Sequence, residues 1–144
     1  MCIRDSSATG VFAGDDKFGG SYGSDIIFGH EGSDSIFGEG GDDFLWGGVG
    51  SDYVFGGAGS NTLFSEVDNS IDRLYVSPDG LPDVIYGIDL QDKILIEDRS
   101  DYDLSVMPIV GGIAIFANDI HEATYVGGNL TPSQLLDCLW GVNN

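Results

Sequence analysis

Apolar side chains recur at every ninth residue through the first half of the chain. Residues 11–64 divide into six consecutive blocks of nine, and the eighth position of every block is apolar. These positions hold Phe18, Ile27, Ile36, Leu45, Val54 and Leu63. Because neighbouring side chains of a strand point to opposite faces, the last three residues of each block predict a short strand with one inward side chain.

The other positions of the blocks repeat with the same period. The fourth position is always glycine, the first is glycine in five blocks, and the ninth is aromatic in five. The sixth position holds Asp16, Asp25, Asp34, Asp43, Asp52 and finally Asn61. Since glycine permits positive φ and close approach of backbones, each block predicts a tight turn that leads into its strand.

The pattern G-G-x-G-x-D-x-U-x, in which U is apolar, resembles the repeats-in-toxin (RTX) family of calcium-binding proteins. It covers about 40% of the chain. The resemblance implies an all-β fold, namely a right-handed parallel β-roll (a β-solenoid) of about six nonapeptide repeats. Two blocks then form one coil, and blocks two apart stack on the same side of the roll.

Such stacking places the sixth-position side chains in two columns. One column holds Asp16, Asp34 and Asp52, and the other holds Asp25, Asp43 and Asn61. Stacked strands lie about 4.8 Å apart, so unpaired carboxylates would repel one another and a cation is needed between them. Calcium suits the position because it takes carboxylate and carbonyl oxygens with loose geometry. The alternative is a turn ladder with solvated carboxylates.

Stacked neighbours define four candidate calcium sites. They are Asp16/Asp34, Asp34/Asp52, Asp25/Asp43 and Asp43/Asn61. Val11 and Phe12 replace two glycines beside the first, and Asn61 removes a charge from the last. We therefore expect about three Ca²⁺ ions, within a range of two to four.

The resemblance also implies which atoms bind the ions. The sixth-position side chain supplies an oxygen, and the first four positions supply backbone carbonyls. The candidate calcium-binding residues are Gly14, Asp16, Gly20, Tyr22, Gly23, Asp25, Gly29, His30, Glu31, Gly32, Asp34, Gly38, Gly40, Gly41, Asp43, Gly47, Gly48, Val49, Gly50, Asp52, Gly57, Gly59 and Asn61.

The aromatic column at the ninth position has two interpretations. A flat aromatic face could bind sugars, surfaces or a partner. Alternatively, the rings pack on the neighbouring unit or cover strand edges within the roll. We favour packing, because an exposed aromatic stripe promotes aggregation. The column holds Phe28, Phe37, Trp46, Phe55 and Phe64.

The pattern changes after residue 64. Six short alternating segments follow, separated by Gly, Pro and Asp turn signals, and they predict a small antiparallel β unit. Thr131-Pro132-Ser133-Gln134 is a capping box that begins one helix, with an apolar face of Leu135, Leu136, Leu139 and Trp140. Because the last coil of a solenoid exposes an unpaired edge, this unit is predicted to be its cap. The predicted segments are Leu74–Val76, Asp83–Ile88, Lys93–Glu97, Leu104–Met107, Ile113–Ala117 and Ala123–Val126.

Three regions follow from these patterns. Residues 1–10 are predicted to be a leader or a remnant of an expression tag, 11–64 the calcium-binding roll, and 65–144 the cap. Within the cap, the run Asp72-Arg73-Leu74-Tyr75-Val76 and the starts Asp83-Val84-Ile85 and Asp92-Lys93-Ile94 resemble segments that follow β-rolls in serralysin-like and haemolysin-like proteins. That resemblance implies an uncleaved signal for type I secretion and upstream domains of a larger protein.

The composition of the chain argues against two classes of binding partner, nucleic acids and anionic membranes. The chain has 24 acidic and 5 basic residues, a net charge of −19, so it lacks the basic face of a nucleic-acid binder. An anionic membrane surface would repel it, and no stretch approaches the roughly 18 apolar residues of a spanning helix. Aromatic residues make up 11% of the chain, more than disordered chains contain.

The spacing of the two cysteines does not match a zinc-binding pattern. Cys138 is predicted to be a small buried apolar residue.

Residue patterns for catalysis are weak. His30-Glu31 and His121-Glu122 resemble the start of a zinc-hydrolase motif, but Asp34 and Tyr125 stand where its second histidine belongs. We therefore predict no enzyme activity within this chain. The leading hypothesis is a calcium-binding module of a secreted protein that folds on Ca²⁺ after type I export. The alternatives are an adhesin or surface-binding roll, or the non-catalytic C-terminal part of a larger secreted hydrolase or toxin.

Overall fold

A computed structural model describes residues 13–97, 103–127 and 129–140. The predicted leader over residues 1–10 lies outside these ranges. The strands are β1 (Lys17–Gly19), β2 (Ile26–Glu31), β3 (Ser35–Phe37), β4 (Phe44–Val49), β5 (Tyr53–Phe55), β6 (Thr62–Phe64), β7 (Arg73–Val76), β8 (Asp83–Tyr86), β9 (Lys93–Ile96), β10 (Leu104–Ile109), β11 (Gly112–Ala117), β12 (Ile120–Tyr125) and β13 (Leu139–Trp140). A single helix in the described residues, α1, spans Pro132–Cys138.

Alternate strands pair in parallel and form two facing stacks. One sheet has the order β1-β3-β5-β7-β9-β13. The other has the order β10-β11-β12-β8-β6-β4-β2, so its even-numbered strands β2 to β8 also lie next to one another. The register keeps the repeat in phase: Ile36 lies opposite Val54, and Leu45 lies opposite Leu63. The predicted all-β parallel β-roll with a C-terminal helix is confirmed.

The inward column forms the core of the roll. The eighth-position side chain of every block is buried, and four of the six have no exposed surface. Leu74, Ile85 and Ile94 extend the column through the later coils. Because each coil adds only a few apolar side chains, the core is a narrow row whose members depend on the coils above and below.

The roll extends beyond the nonapeptide blocks. The strands predicted after residue 64 are all present, but β7, β8 and β9 join the two parallel stacks instead of forming an antiparallel unit. Antiparallel pairing among the described strands is confined to β10, β11 and β12. Longer turns conceal this continuity in the sequence, because the spacing between stacked residues grows from 18 to 20 or 22.

The C-terminal part of the chain completes both sheets. Strand β12 pairs in parallel with β8, and β13 pairs in parallel with β9. The capping box of α1 forms as predicted, with Thr131 and Gln134 exchanging hydrogen bonds and Pro132 at the first helical position. Two details differ from the prediction. Leu136 is 44% exposed, so Leu135 and Cys138 form the buried face, and Leu139 and Trp140 belong to β13.

Candidate metal sites in the turns

Sixth-position side chains form a hydrogen-bonded ladder. Asp34 Oδ1 accepts from the N–H of Asp16 at 2.7 Å, and Asp52 Oδ1 accepts from the N–H of Asp34 at 2.8 Å. The second column repeats the contact from Asp43 to Asp25, at 2.8 Å, and from Asn61 to Asp43, at 3.0 Å. Each of the four predicted pairs is therefore brought together, through one carboxylate or amide oxygen and one backbone N–H.

The second carboxylate oxygen has no such partner in three of the turns. Oδ2 of Asp34, Asp43 and Asp52 is buried and accepts no hydrogen bond. These residues are 0%, 2% and 0% exposed. Burial raises the pKa of Asp34 and raises that of Asp43 and Asp52 to about 6. Because an uncompensated buried charge is costly, these atoms require either a proton or a cation.

Glycine leaves open the space beside each of these oxygens. A Cβ on Gly29 would lie 2.7 Å from Asp34 Oδ2 and would also overlap the carbonyl oxygen of Gly47. A Cβ on Gly38 would overlap both Asp43 Oδ2 and the carbonyl oxygen of Gly56. In both turns, a carboxylate oxygen and a carbonyl oxygen of the next coil therefore border one small space.

This oxygen-only environment fits calcium. Hard cations such as Ca²⁺ take about six to eight oxygen ligands from carboxylates and carbonyls, and a bound ion would supply the positive charge that the buried oxygens lack. Within the described ranges, no three His, Cys, Asp or Glu side chains converge on one point. The backbone would therefore supply most of the ligands, as the family resemblance implies.

Several of the predicted calcium-binding residues line the turns with their backbone alone, because their side chains face outward. Tyr22 is 93% exposed, and the side chains of His30, Glu31 and Val49 also face outward. His30 has φ of 81°, and a Cβ on Gly48 would overlap its carbonyl oxygen. These residues line the turns by their main chain. The fourth-position glycines stack closely, because a Cβ on Gly50 would overlap Gly32 of the preceding coil.

The first coil differs from the turns that follow it. Asp25 Oδ2 accepts hydrogen bonds from the N–H of Ser21 at 2.6 Å and from its hydroxyl at 2.9 Å. Asp16 and Asp25 are both half-buried. The structure thus distinguishes three turns with an unpartnered buried oxygen from one whose carboxylate is already satisfied by a serine.

Three ladder residues escaped the sequence analysis as members of the columns. Asp72, Asp83 and Asp92 are buried, and each accepts from the backbone N–H of the ladder residue one coil earlier. Their sequence signal is an Asp followed by alternating apolar residues, a pattern that by itself predicts only the start of a strand in the cap. Burial raises the pKa of Asp72 and Asp92 to about 6 and that of Asp83 to about 8.

The outward aromatic side chains stack on one another along both sheets. Phe37, Phe55 and Tyr75 form one ladder, with ring centroids 4.6 Å and 4.1 Å apart and nearly parallel planes. On the other sheet, Phe64 stacks on Tyr86 at 4.5 Å, while Trp46 is tilted against it. In these stacks each ring packs its face against the face of a neighbouring ring, so the ring edges point outward.

The two His-Glu pairs occupy different surroundings. Nε2 of His121 lies 2.9 Å from both the carbonyl oxygen of Ala123 and the hydroxyl of Thr124. Glu122 is buried and accepts from the N–H of Gly80. His30, by contrast, is an exposed residue of β2.

Comparison with known proteins identifies the class of these coils. A family model described as the RTX calcium-binding nonapeptide repeat matches in four overlapping copies, over residues 12–45, 19–54, 28–63 and 38–71. Residues 12–71 therefore match the RTX calcium-binding nonapeptide repeat, which confirms the resemblance seen in the sequence. Repeats of this class bind calcium and are typical of secreted proteins.

Other comparisons add less. The chain is similar to the solution structure of the AlgE6R3 subunit from the Azotobacter vinelandii mannuronan C5-epimerase, with 23% identity, a TM-score of 0.36, and coverage of 90% of this chain and 80% of that one. Comparison with curated protein sequences found no match. In the part of the chain that the structure describes, no helix has the length and apolar character needed to cross a membrane.

Proposed function

We propose that this chain is a module that folds on calcium after export as part of a secreted protein. One observation carries the proposal: three buried carboxylate oxygens, on Asp34, Asp43 and Asp52, have no hydrogen-bond partner. Without a cation, these turns would bury unpaired charge within a chain of net charge −19. The cation-free chain is therefore expected to resist compaction, and calcium is expected to favour the roll.

The free energy expected from calcium binding is large enough to control folding. Extracellular calcium modules have dissociation constants on the order of 10⁻⁴–10⁻³ M. A site at one hundred times its dissociation constant stabilises the folded state by about 2.7 kcal/mol. About three such sites would together contribute more than half of the roughly 5–15 kcal/mol that is typical of a domain. Low cytosolic calcium would then keep the calcium-dependent coils unfolded until the chain reaches the outside.

Calcium titration of the complete chain tests the proposal. Far-UV circular dichroism and tryptophan emission should change together between a chelator and about 10 mM calcium, and calorimetry should count about three ions. Magnesium at the same concentration is the control, because its demand for near-ideal octahedral geometry fits these turns poorly. Identical spectra in chelator and calcium would contradict calcium-dependent folding.

Export is the second part of the proposal. The segments that begin at Asp72, Asp83 and Asp92 resemble those of secreted haemolysin-like and serralysin-like proteins, and we propose an upstream domain and a type I secretion system as partners. Fusing a reporter before residue 13 and coexpressing a type I transporter should place the reporter in the medium. Retention in the cytosol with an active transporter would contradict this part alone.

We further propose that this segment binds and does not catalyse. Its ladder carboxylates, such as Asp52, Asp72 and Asp83, are buried, which leaves them poorly placed to exchange protons with a substrate. The alternative of an aromatic binding face is less favoured, because the stacked rings of Phe37, Phe55 and Tyr75 present edges rather than flat faces. Catalysis, if the parent protein has it, would belong to a domain outside this chain.

A further inference from the structure

Asn61 occupies a ladder position but closes its own turn. Its Oδ1 accepts from the N–H of Asp43, which fixes the orientation of the amide. Its Nδ2 then donates to the carbonyl oxygens of Gly57, at 3.1 Å, and Gly59, at 3.4 Å. The corresponding atom of Asp34, Asp43 and Asp52 is the unpartnered Oδ2. The amide therefore offers N–H groups to the turn carbonyls in the place where the other turns present a bare carboxylate oxygen.

Ser65 closes the next turn in a different way. It follows β6 at the position that is glycine in Gly29, Gly38, Gly47 and Gly56. Its hydroxyl donates to Asp72 Oδ2 and also lies 3.4 Å from Asp92 Oδ2. Asp92 Oδ2 in addition accepts from the N–H of Asp89 at 2.8 Å. A hydroxyl thus fills the space that glycine leaves open in the earlier turns.

We propose that Asn61 and Ser65 take the place of bound cations, so that the calcium-binding series ends at Asp52. This inference rests on the proposed function. The N–H groups of Asn61 satisfy the carbonyls of its turn, and the Ser65 hydroxyl satisfies the carboxylate of Asp72. The ladder continues through both turns, but its second oxygens face protein donors.

The inference predicts that calcium sites can be gained by single substitutions. Asn61→Asp removes the amide donors and adds a carboxylate oxygen opposite the carbonyls of Gly57 and Gly59. Ser65→Gly removes the hydroxyl and leaves the carboxylates of Asp72 and Asp92 facing an open space. Calorimetry on the complete chain should count one more calcium ion per chain in each variant than in the parent.

A third variant distinguishes the effect of opening the space from the effect of removing the hydroxyl. Ser65→Ala removes the hydroxyl but keeps a Cβ in the same place, so it should lower the unfolding temperature without a gain of an ion. Two matched controls change the same residue types elsewhere. Asn69→Asp adds a charge on an exposed turn, and Ser77→Gly removes a hydroxyl that donates to Glu97 Oε2 instead of to a ladder residue. Neither should change the ion count.

The outcomes distinguish the two proposals. If the parent binds no calcium, the proposed function fails, whatever the variants do. If the parent binds calcium but Asn61→Asp and Ser65→Gly keep its ion count, the surrogate role of both residues is overturned. Should one variant fail to fold even in calcium, the other still decides its own turn, because the two substitutions lie in different turns, at opposite ends of β6. An extra ion in Asn69→Asp or Ser77→Gly would show that the added ion is non-specific, and would also overturn the inference.

Discussion

The coils that end at Asp52 and the coils that begin at Asn61 share one backbone ladder but close it differently. In both, a side-chain oxygen accepts from the N–H of the ladder residue one coil earlier. In the earlier coils, the second oxygen of Asp34, Asp43 and Asp52 is buried and unpartnered. In the later coils, Asn61, Ser65 and a backbone N–H supply donors.

The difference shows how one roll can combine metal-dependent and metal-independent parts. Hydrogen-bond donors within the chain are present whenever the chain folds, whereas a cation must come from solution. The later coils are also held by the antiparallel strands and by β13, which complete both sheets. We therefore expect the two parts to respond differently to calcium.

Calcium removal should produce the largest effect. In chelator, amides of β4 and β5 should lose hydrogen-exchange protection, while those of β7 and β9 should keep a measurable part of theirs. The physical reason is that, among the residues that the structure describes, unpartnered buried carboxylate oxygens occur only in the earlier coils. Exchange measured by mass spectrometry with and without calcium checks this. Equal loss in both regions would mean that the roll unfolds as one unit.

Filling a turn should have the next largest effect. Gly29→Ala places a Cβ 2.7 Å from Asp34 Oδ2 and against the carbonyl oxygen of Gly47. We expect the loss of one ion and a destabilisation of about 1–3 kcal/mol from overpacking, measured by calorimetry and thermal unfolding in calcium. Gly19→Ala is the matched control, because its Cβ would meet nothing within 4 Å. An unchanged ion count in Gly29→Ala would refute the position of the site.

Asp43→Asn should convert an earlier turn into the later kind. The new amide can imitate Asn61, so the variant should bind one ion fewer than the parent and lose about 2.7 kcal/mol at calcium concentrations one hundred times the dissociation constant. In chelator, it should unfold at a higher temperature than the parent, because a buried carboxylate has been removed. Asp119→Asn, on an exposed turn, is the charge control. If Asp43→Asn unfolded at a lower temperature than the parent in chelator, the proposed difference between the earlier and the later turns would be wrong.

A pH dependence in chelator should be the smallest effect. Burial raises the pKa of Asp72 and Asp92 to about 6 and that of Asp83 to about 8. Since the folded state then binds more protons than the unfolded one, the free energy of unfolding should fall as pH rises from about 5 to about 8.

Thermal unfolding across this pH range measures the trend. Asp83→Asn cannot titrate at that position, so its profile should be flatter than that of the parent between about pH 6 and pH 8. A stability that rises with pH in chelator would contradict the assignment of these buried carboxyls.

The regular half of the roll could be predicted from the sequence because its turns have constant length. A nine-residue period fixes which side chains point inward, and it identifies Asp34 and Asp52, and likewise Asp25 and Asp43, as neighbours one coil apart. The capping box at Thr131 is equally local, since its partners lie within one helical turn. These features depend on short stretches of chain and on stereochemistry that every coil repeats.

The later ladder could not be found in the same way. Asp72, Asp83 and Asp92 are spaced by 20 or 22 residues from their partners, because the intervening turns are longer. Strand pairing tolerates such insertions in turns while it preserves the register of the strands, so the stack persists after the period has been lost.

The sequence by itself therefore determined the class of repeat, the inward column and the carboxylates available for a cation. The tertiary structure alone decided which of those carboxylates lack a partner. That depends on donors such as the Ser21 and Ser65 hydroxyls reaching the carboxylates of Asp25 and Asp72. Hydrogen bonding acts at a distance of about 3 Å, and only the folded backbone brings those atoms so close.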